Sequence, residues 1–136
     1  MNVSQKPNVL LINTDHWPAR LMRCAGDKNV MTPTIDTLAG DGIRFTNVFS
    51  SCPVCIPARR SLMTGLFPKT HGDRVYSGTM PMPEVPTLAE SFSKAGYQTG
   101  AVGKLHVYPQ RSRIGFDEVI LSEEGRYQHG VVDDYQ

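Results

Sequence analysis

The feature that most constrains the fold of this chain is an uninterrupted apolar run, Val9-Leu10-Leu11-Ile12, framed by Asn8 and Asn13. A strand with one wet face alternates apolar and polar residues, whereas a strand covered on both faces is apolar throughout. The run therefore reads as a fully buried strand in a sheet flanked by helices. A helix is expected from Thr32-Pro33, with proline at the first helical position, to Gly40 or Gly42. Ile43 to Phe49 alternates with period two and reads as a second strand. Ala58 to Thr64, stopped by Gly65, reads as a helix of about two turns. Phe67 to Pro86, rich in proline and polar residues, is expected to form a long loop of the functional or mobile kind. Thr87-Leu88-Ala89-Glu90 spells a capping box, opening a helix with Leu88, Ala89, Phe92 and Ala95 on its apolar face and Gly96 at its end. Tyr97 to Val102 and Glu118 to Leu121 read as further strands. Strands and helices in this succession give an α/β fold.

The 136 residues suffice for one domain, burying roughly two-thirds of the surface that the unfolded chain exposes. A net charge of +1, with acidic and basic residues spread along the length, makes no basic stripe for nucleic acid or an anionic membrane. The apolar run is also far too short for a membrane span or a signal-peptide core. Three cysteines, an odd number, do not make a disulfide framework and favour a reducing compartment. The expected location is the cytoplasm, unless a leader has been removed.

Chemistry concentrates first at Cys55-Ile56-Pro57-Ala58-Arg59. Pro57 suits a first helical turn, so Cys55 is expected just before a helix amino-terminus, where unpaired backbone donors and the positive dipole end favour an anion or thiolate. Arg59 follows one turn later, within reach of the same place. Asp15 and His16 come directly after the apolar run, at the carboxyl end of the expected strand, where open α/β sheets bind ligands. Lys104 and His106, in Val102-Gly103-Lys104-Leu105-His106, stand two apart, so in an extended segment both point to one side. A phosphate-binding P-loop is excluded there, because its glycine-lysine pattern fails at Gln98 and Leu105.

The window from Cys55 to Gly65 resembles the sulfatase signature, C-x-P-S/A-R followed by x-x-x-L/M-T-G, over all of its length. The chain thus resembles the amino-terminal part of the sulfatase family, formylglycine-dependent and arylsulfatase-like, within the alkaline phosphatase superfamily. The resemblance implies a mixed sheet flanked by helices, with residues 1–136 forming the first part of a single catalytic domain. It implies that Cys55 is oxidised to formylglycine by a formylglycine-generating or radical maturation enzyme. The hydrated aldehyde then attacks the sulfur of a small-molecule sulfate ester and contacts the metal, and Arg59 steadies it. Asp15 corresponds to the family's first ligand for Ca²⁺, or for Mg²⁺ or Mn²⁺, and hard carboxylate oxygens suit such ions. His16 stands where many members carry a second Asp and is a secondary metal candidate. Val102 to His106 resembles the family's G-K-x-H element, in which the lysine binds the substrate's charged oxygens and the histidine hydrogen-bonds the nucleophile. Residue 105 is usually aromatic there and is Leu here. Gly115-Phe116-Asp117 also recurs in the family and is expected to be structural.

Two other readings remain open. A phosphonate monoester or phosphodiester hydrolase shares the fold and the cysteine motif. A non-catalytic protein could use Cys52 and Cys55 as a dithiol, although no second cysteine pair completes a zinc site. His71 is expected to be solvated, Cys24 to be a small buried or half-buried residue, and His129 has no supporting pattern. The family's later metal ligands have no counterpart here, and Asp133-Asp134 reads as a surface turn. The chain is therefore expected to be a fragment without turnover of its own.

Overall fold

The computed structural model describes residues 6–123; His129 and Asp133-Asp134 lie outside the described residues. The chain divides into two compact units, Met1–Val48 and Phe49–Gln136.

In the first unit, two short 3₁₀ turns, Ala19–Leu21 and Arg23–Ala25, precede helix α1, Pro33–Asp41. Helix α1 begins on proline as expected and stops before Gly42. Asp36 on its first turn accepts from the Cys24 backbone amide at 2.8 Å, and Thr32 accepts from that of Arg23 at 3.0 Å, fastening the turns to the helix start. Cys24 is half-buried, as expected. Neither Asn8–Asn13 nor Ile43–Phe49 forms a strand. Leu10 is 83% exposed and Ile43 also 83%. The apolar patterns are present, but a strand needs a paired neighbour for its backbone amides and carbonyls. Among the described residues none pairs with either stretch.

The second unit holds α2 (Cys55–Thr64), α3 (Pro68–His71), α4 (Leu88–Lys94), β1 (Gly100–Gly103) and β2 (Glu118–Leu121). Helix α4 carries the full reciprocal cap: Thr87 Oγ1 accepts from the Glu90 amide at 3.2 Å, and Glu90 Oε2 from the Thr87 amide at 2.9 Å. Thr87 Oγ1 also donates to the Ile114 carbonyl at 2.7 Å, tying the helix start to a distant loop. The stretch read as one long loop contains α3, nucleated by Pro68 and closed by Gly72 in the left-handed region.

Strands β1 and β2 pair in parallel, Gly100 opposite Glu118 through to Gly103 opposite Leu121. The Ser122 amide extends the ladder to the Gly103 carbonyl at 3.0 Å. Strand β1 is shorter than the Tyr97–Val102 expected, because Asp117 rather than a neighbouring strand satisfies the Thr99 amide, at 2.8 Å. Between the sheet and the helices lies a core of Met63, Leu105, Val107, Ile114 and Leu121, with Leu88, Phe116 and Val119 packed on it. Leu105 is thus an interior residue.

Candidate active site

Cys55 is the first residue of α2, with Val54 as the extended N-cap and no side chain capping the helix start. It stands one position further into the helix than the sequence suggests, because the Ala58 amide already closes the first turn on the Val54 carbonyl at 2.9 Å. Ile56 and Pro57 are buried and anchor that turn, leaving Cys55 half-exposed. The helix dipole puts partial positive charge beside its sulfur.

Arg59, one turn along, donates through Nη1 to the Lys104 carbonyl oxygen at 2.5 Å. The cysteine helix and the Gly-Lys-x-His segment are therefore joined directly. That segment is not extended, contrary to expectation: β1 ends at Gly103 with φ +104, and His106 has φ +54. Both values lie in the left-handed region, which a residue other than glycine occupies only when its surroundings hold it there. Glu123 supplies such a hold. It is buried, and its carboxylate accepts from the Leu105 amide at 3.1 Å and from the His106 amide at 3.0 Å.

A second polar cluster supports α2 from behind. The Arg60 and Asp73 side chains are each 1% exposed and lie 3.6 Å apart, Nε to Oδ2. Arg60 also donates to the carbonyls of Met80, at 2.6 Å, and Pro81. Burial lowers the Arg60 pKa and the Asp73 charge partly restores it. His71, expected to be solvated, is buried; its Nε2 lies 3.0 Å from Ser61 Oγ and its Nδ1 accepts from the Asp73 amide at 3.2 Å. An accepting Nδ1 puts the proton on Nε2, so the ring donates to Ser61 and is a brace, not a base activating a hydroxyl. Burial is the main cause, and the Arg60 charge the next, of a His71 pKa below the ordinary value. The sequence signal for this cluster was Thr70-His71-Gly72-Asp73, a histidine and a carboxylate flanking a helix-ending glycine.

Asp15 and His16 adjoin each other in the first unit, His16 Nε2 lying 4.0 Å from Asp15 Oδ1. Both side chains are exposed, and His16 has φ +56. A hard carboxylate beside an imidazole is a donor pair that fits part of a divalent-metal shell. Among the described residues no group of three or more His, Cys, Asp or Glu side chains is gathered for a metal. No helix among them is long and apolar enough to cross a membrane. Asp117 is structural, as expected: its Oδ2 accepts from the amide and hydroxyl of Thr99, which lower its pKa.

The family model described as Sulfatase matches residues 7–133. The arylsulfatase of Clostridium perfringens is 37% identical over 118 residues, covering 87% of this chain and 24% of that protein. Among solved structures, that of Ps i-CgsB superposes with a TM-score of 0.79 at 33% identity, covering 89% of this chain and 29% of that one. The phosphonate monoester hydrolase of Agrobacterium radiobacter gives a TM-score of 0.70 at 28% identity, covering 85% and 26%. The α/β architecture is thus shared with sulfatases and their superfamily, and this chain spans about a quarter of the length of the relatives it matches. With its cysteine signature intact on a capless helix start, the chain belongs to the sulfatase family.

Proposed function

We propose that the protein to which this chain belongs hydrolyses sulfate esters with a formylglycine nucleophile made from Cys55. The observation that carries this is the Arg59–Lys104 hydrogen bond, which joins the cysteine helix to the Gly-Lys-x-His segment. In this reading one hydroxyl of the hydrated aldehyde attacks sulfur, and the S–O bond to the alcohol breaks with a proton passing to the alcohol oxygen. The second hydroxyl then loses its proton, the aldehyde C=O re-forms as the C–O bond to sulfate breaks and sulfate departs, and a water adds to the aldehyde to restore the hydrate. The Lys104 ammonium binds the ester's charged oxygens, His106 hydrogen-bonds the nucleophile, and Arg59 fixes the segment bearing both. Positive charge held in place before the reaction stabilises the transferring group without reorganisation. A divalent ion, Ca²⁺ in the first instance, would be held by Asp15 and the modified Cys55, with His16 secondary, and supplies Lewis-acid polarisation of the ester. Residues outside this chain complete the site, so residues 1–136 belong to one larger catalytic domain and do not turn over alone. The three free thiols suit a cytoplasmic setting.

The test is the mass of the Cys55 peptide from the full-length parent expressed with its maturation enzyme. The loss that accompanies thiol-to-aldehyde conversion is expected. An intact thiol in folded protein sinks the mechanism, and a reversible Cys52–Cys55 disulfide would then favour a dithiol protein. The similarity to the phosphonate monoester hydrolase sustains a second reading, hydrolysis of phosphonate monoesters or phosphodiesters. Rates on paired aryl sulfate and aryl phosphonate esters separate the two.

A further inference from the structure

Parallel pairing sends both strands to the same sheet edge, so whatever follows β2 runs alongside whatever follows β1. Register puts Gly103 opposite Leu121, and two residues further on Glu123 meets Leu105 and His106. Its Oε1 accepts from both amides, at 3.1 and 3.0 Å, and its Oε2 accepts from the His106 amide at 3.0 Å. Successive backbone amides turned to one side by a left-handed residue form a concavity for an anion. Here the anion is a side chain of the chain itself. From the other side the Arg59 guanidinium holds the Lys104 carbonyl. A cation on the carbonyl and a carboxylate on the next two amides grip the segment at every peptide from Lys104 to His106.

We propose that Glu123 is a positioning residue for hydrolysis: its carboxylate locks the left-handed turn at His106 and so fixes where Lys104 and His106 present their side chains. This rests on the reading of Lys104 and His106 given above. Charge-assisted bonds to two amides are stronger than neutral ones. A buried carboxylate spent on backbone amides, none of them in a helix or strand, matches a demand for a fixed turn next to the chemistry.

The test uses the full-length, matured parent with Glu123→Ala and Glu123→Gln. In E123A, kcat/KM is expected to fall about tenfold or more, since a buried and a half-buried amide lose their acceptor. Added formate is expected to restore part of the rate by seating in the vacated concavity, which a packing defect would not permit. E123Q keeps one oxygen for the two amides and should fall between. Hydrogen exchange gives a readout independent of the ester and of folding in the alanine variant: E123Q should expose the Leu105 and His106 amides about tenfold faster, with the α4 amides unchanged. Wild-type rates in both variants, a loss that formate leaves untouched, or unchanged exchange at Leu105 and His106 would each overturn the proposal. A wild type that hydrolyses neither sulfate nor phosphonate esters overturns the reading of the site instead, and the exchange data then decide the clamp.

Discussion

Two adjacent arginines, Arg59 and Arg60, are solvated in different ways, and their neighbours explain why. Arg59 is half-buried and spends one bond on the Lys104 carbonyl, whereas Arg60 is buried against Asp73. A buried charge whose partner is removed is left uncompensated, at a cost of about 3–5 kcal/mol. Asp73→Asn is therefore expected to lower the free energy of urea unfolding by that much, and it also weakens the bond from the Ser77 amide to Asp73 Oδ1. His71 behaves differently with pH. Its folded pKa lies below its ordinary value of 6.5, so the unfolded chain binds the proton first and folding is favoured as pH rises. Stability from this ring is fully present above about pH 6.5 and drains away as pH falls through the lower folded value. A His71→Asn variant should be less stable at neutral pH and should lack this step in thermal melts taken between pH 7 and 5. Cys55, Arg59, Lys104 and His106 are legible in sequence because their spacing is a signature. Arg60 and Glu123 are not, since each acquires meaning only from a partner many residues away.

The legible helices are those whose ends are written in local chemistry: Pro33 for α1, Gly65 after α2, and Thr87 with Glu90 for α4. Strand β2 is legible too, but the two stretches of the first unit read as strands are not strands among the described residues. Helices satisfy their backbone internally, while a strand's pattern is a promise that a partner must keep. The element most open to a single change is α4 with the loop that crowns it. Gly115 has φ +93, and a Cβ there would meet Glu90 Cγ at 2.4 Å, Thr87 Oγ1 at 2.8 Å and the Glu90 amide nitrogen at 3.0 Å. Gly115→Ala adds left-handed strain to an overpacked cap, so a loss of about 2–4 kcal/mol is expected by urea unfolding. Thr87→Ala removes the cap and the bond to Ile114 together and should cost about 1–2 kcal/mol by the same measure.

For the molecule as a whole, the exposed apolar stretch Val9 to Ile12 and the modest share of each relative covered point the same way. Large apolar patches on a surface mark a binding partner or an aggregation hazard. The isolated chain is expected to bind a hydrophobic dye and to show no ester hydrolysis, whereas the full-length parent should hydrolyse and bind little dye. Chelation should abolish turnover in that parent, and Ca²⁺ or Mg²⁺ should restore it. Parallel pairing has one more consequence, for how such a protein diversifies. Parallel strands need a crossover of about a dozen residues or more, and here the crossover is itself the segment from Lys104 to Asp117. Insertions and deletions in that segment would disturb strand pairing and the Gly-Lys-x-His turn held by Arg59 and Glu123 in one stroke. Changes of length are therefore expected elsewhere, in loops that the sheet does not constrain.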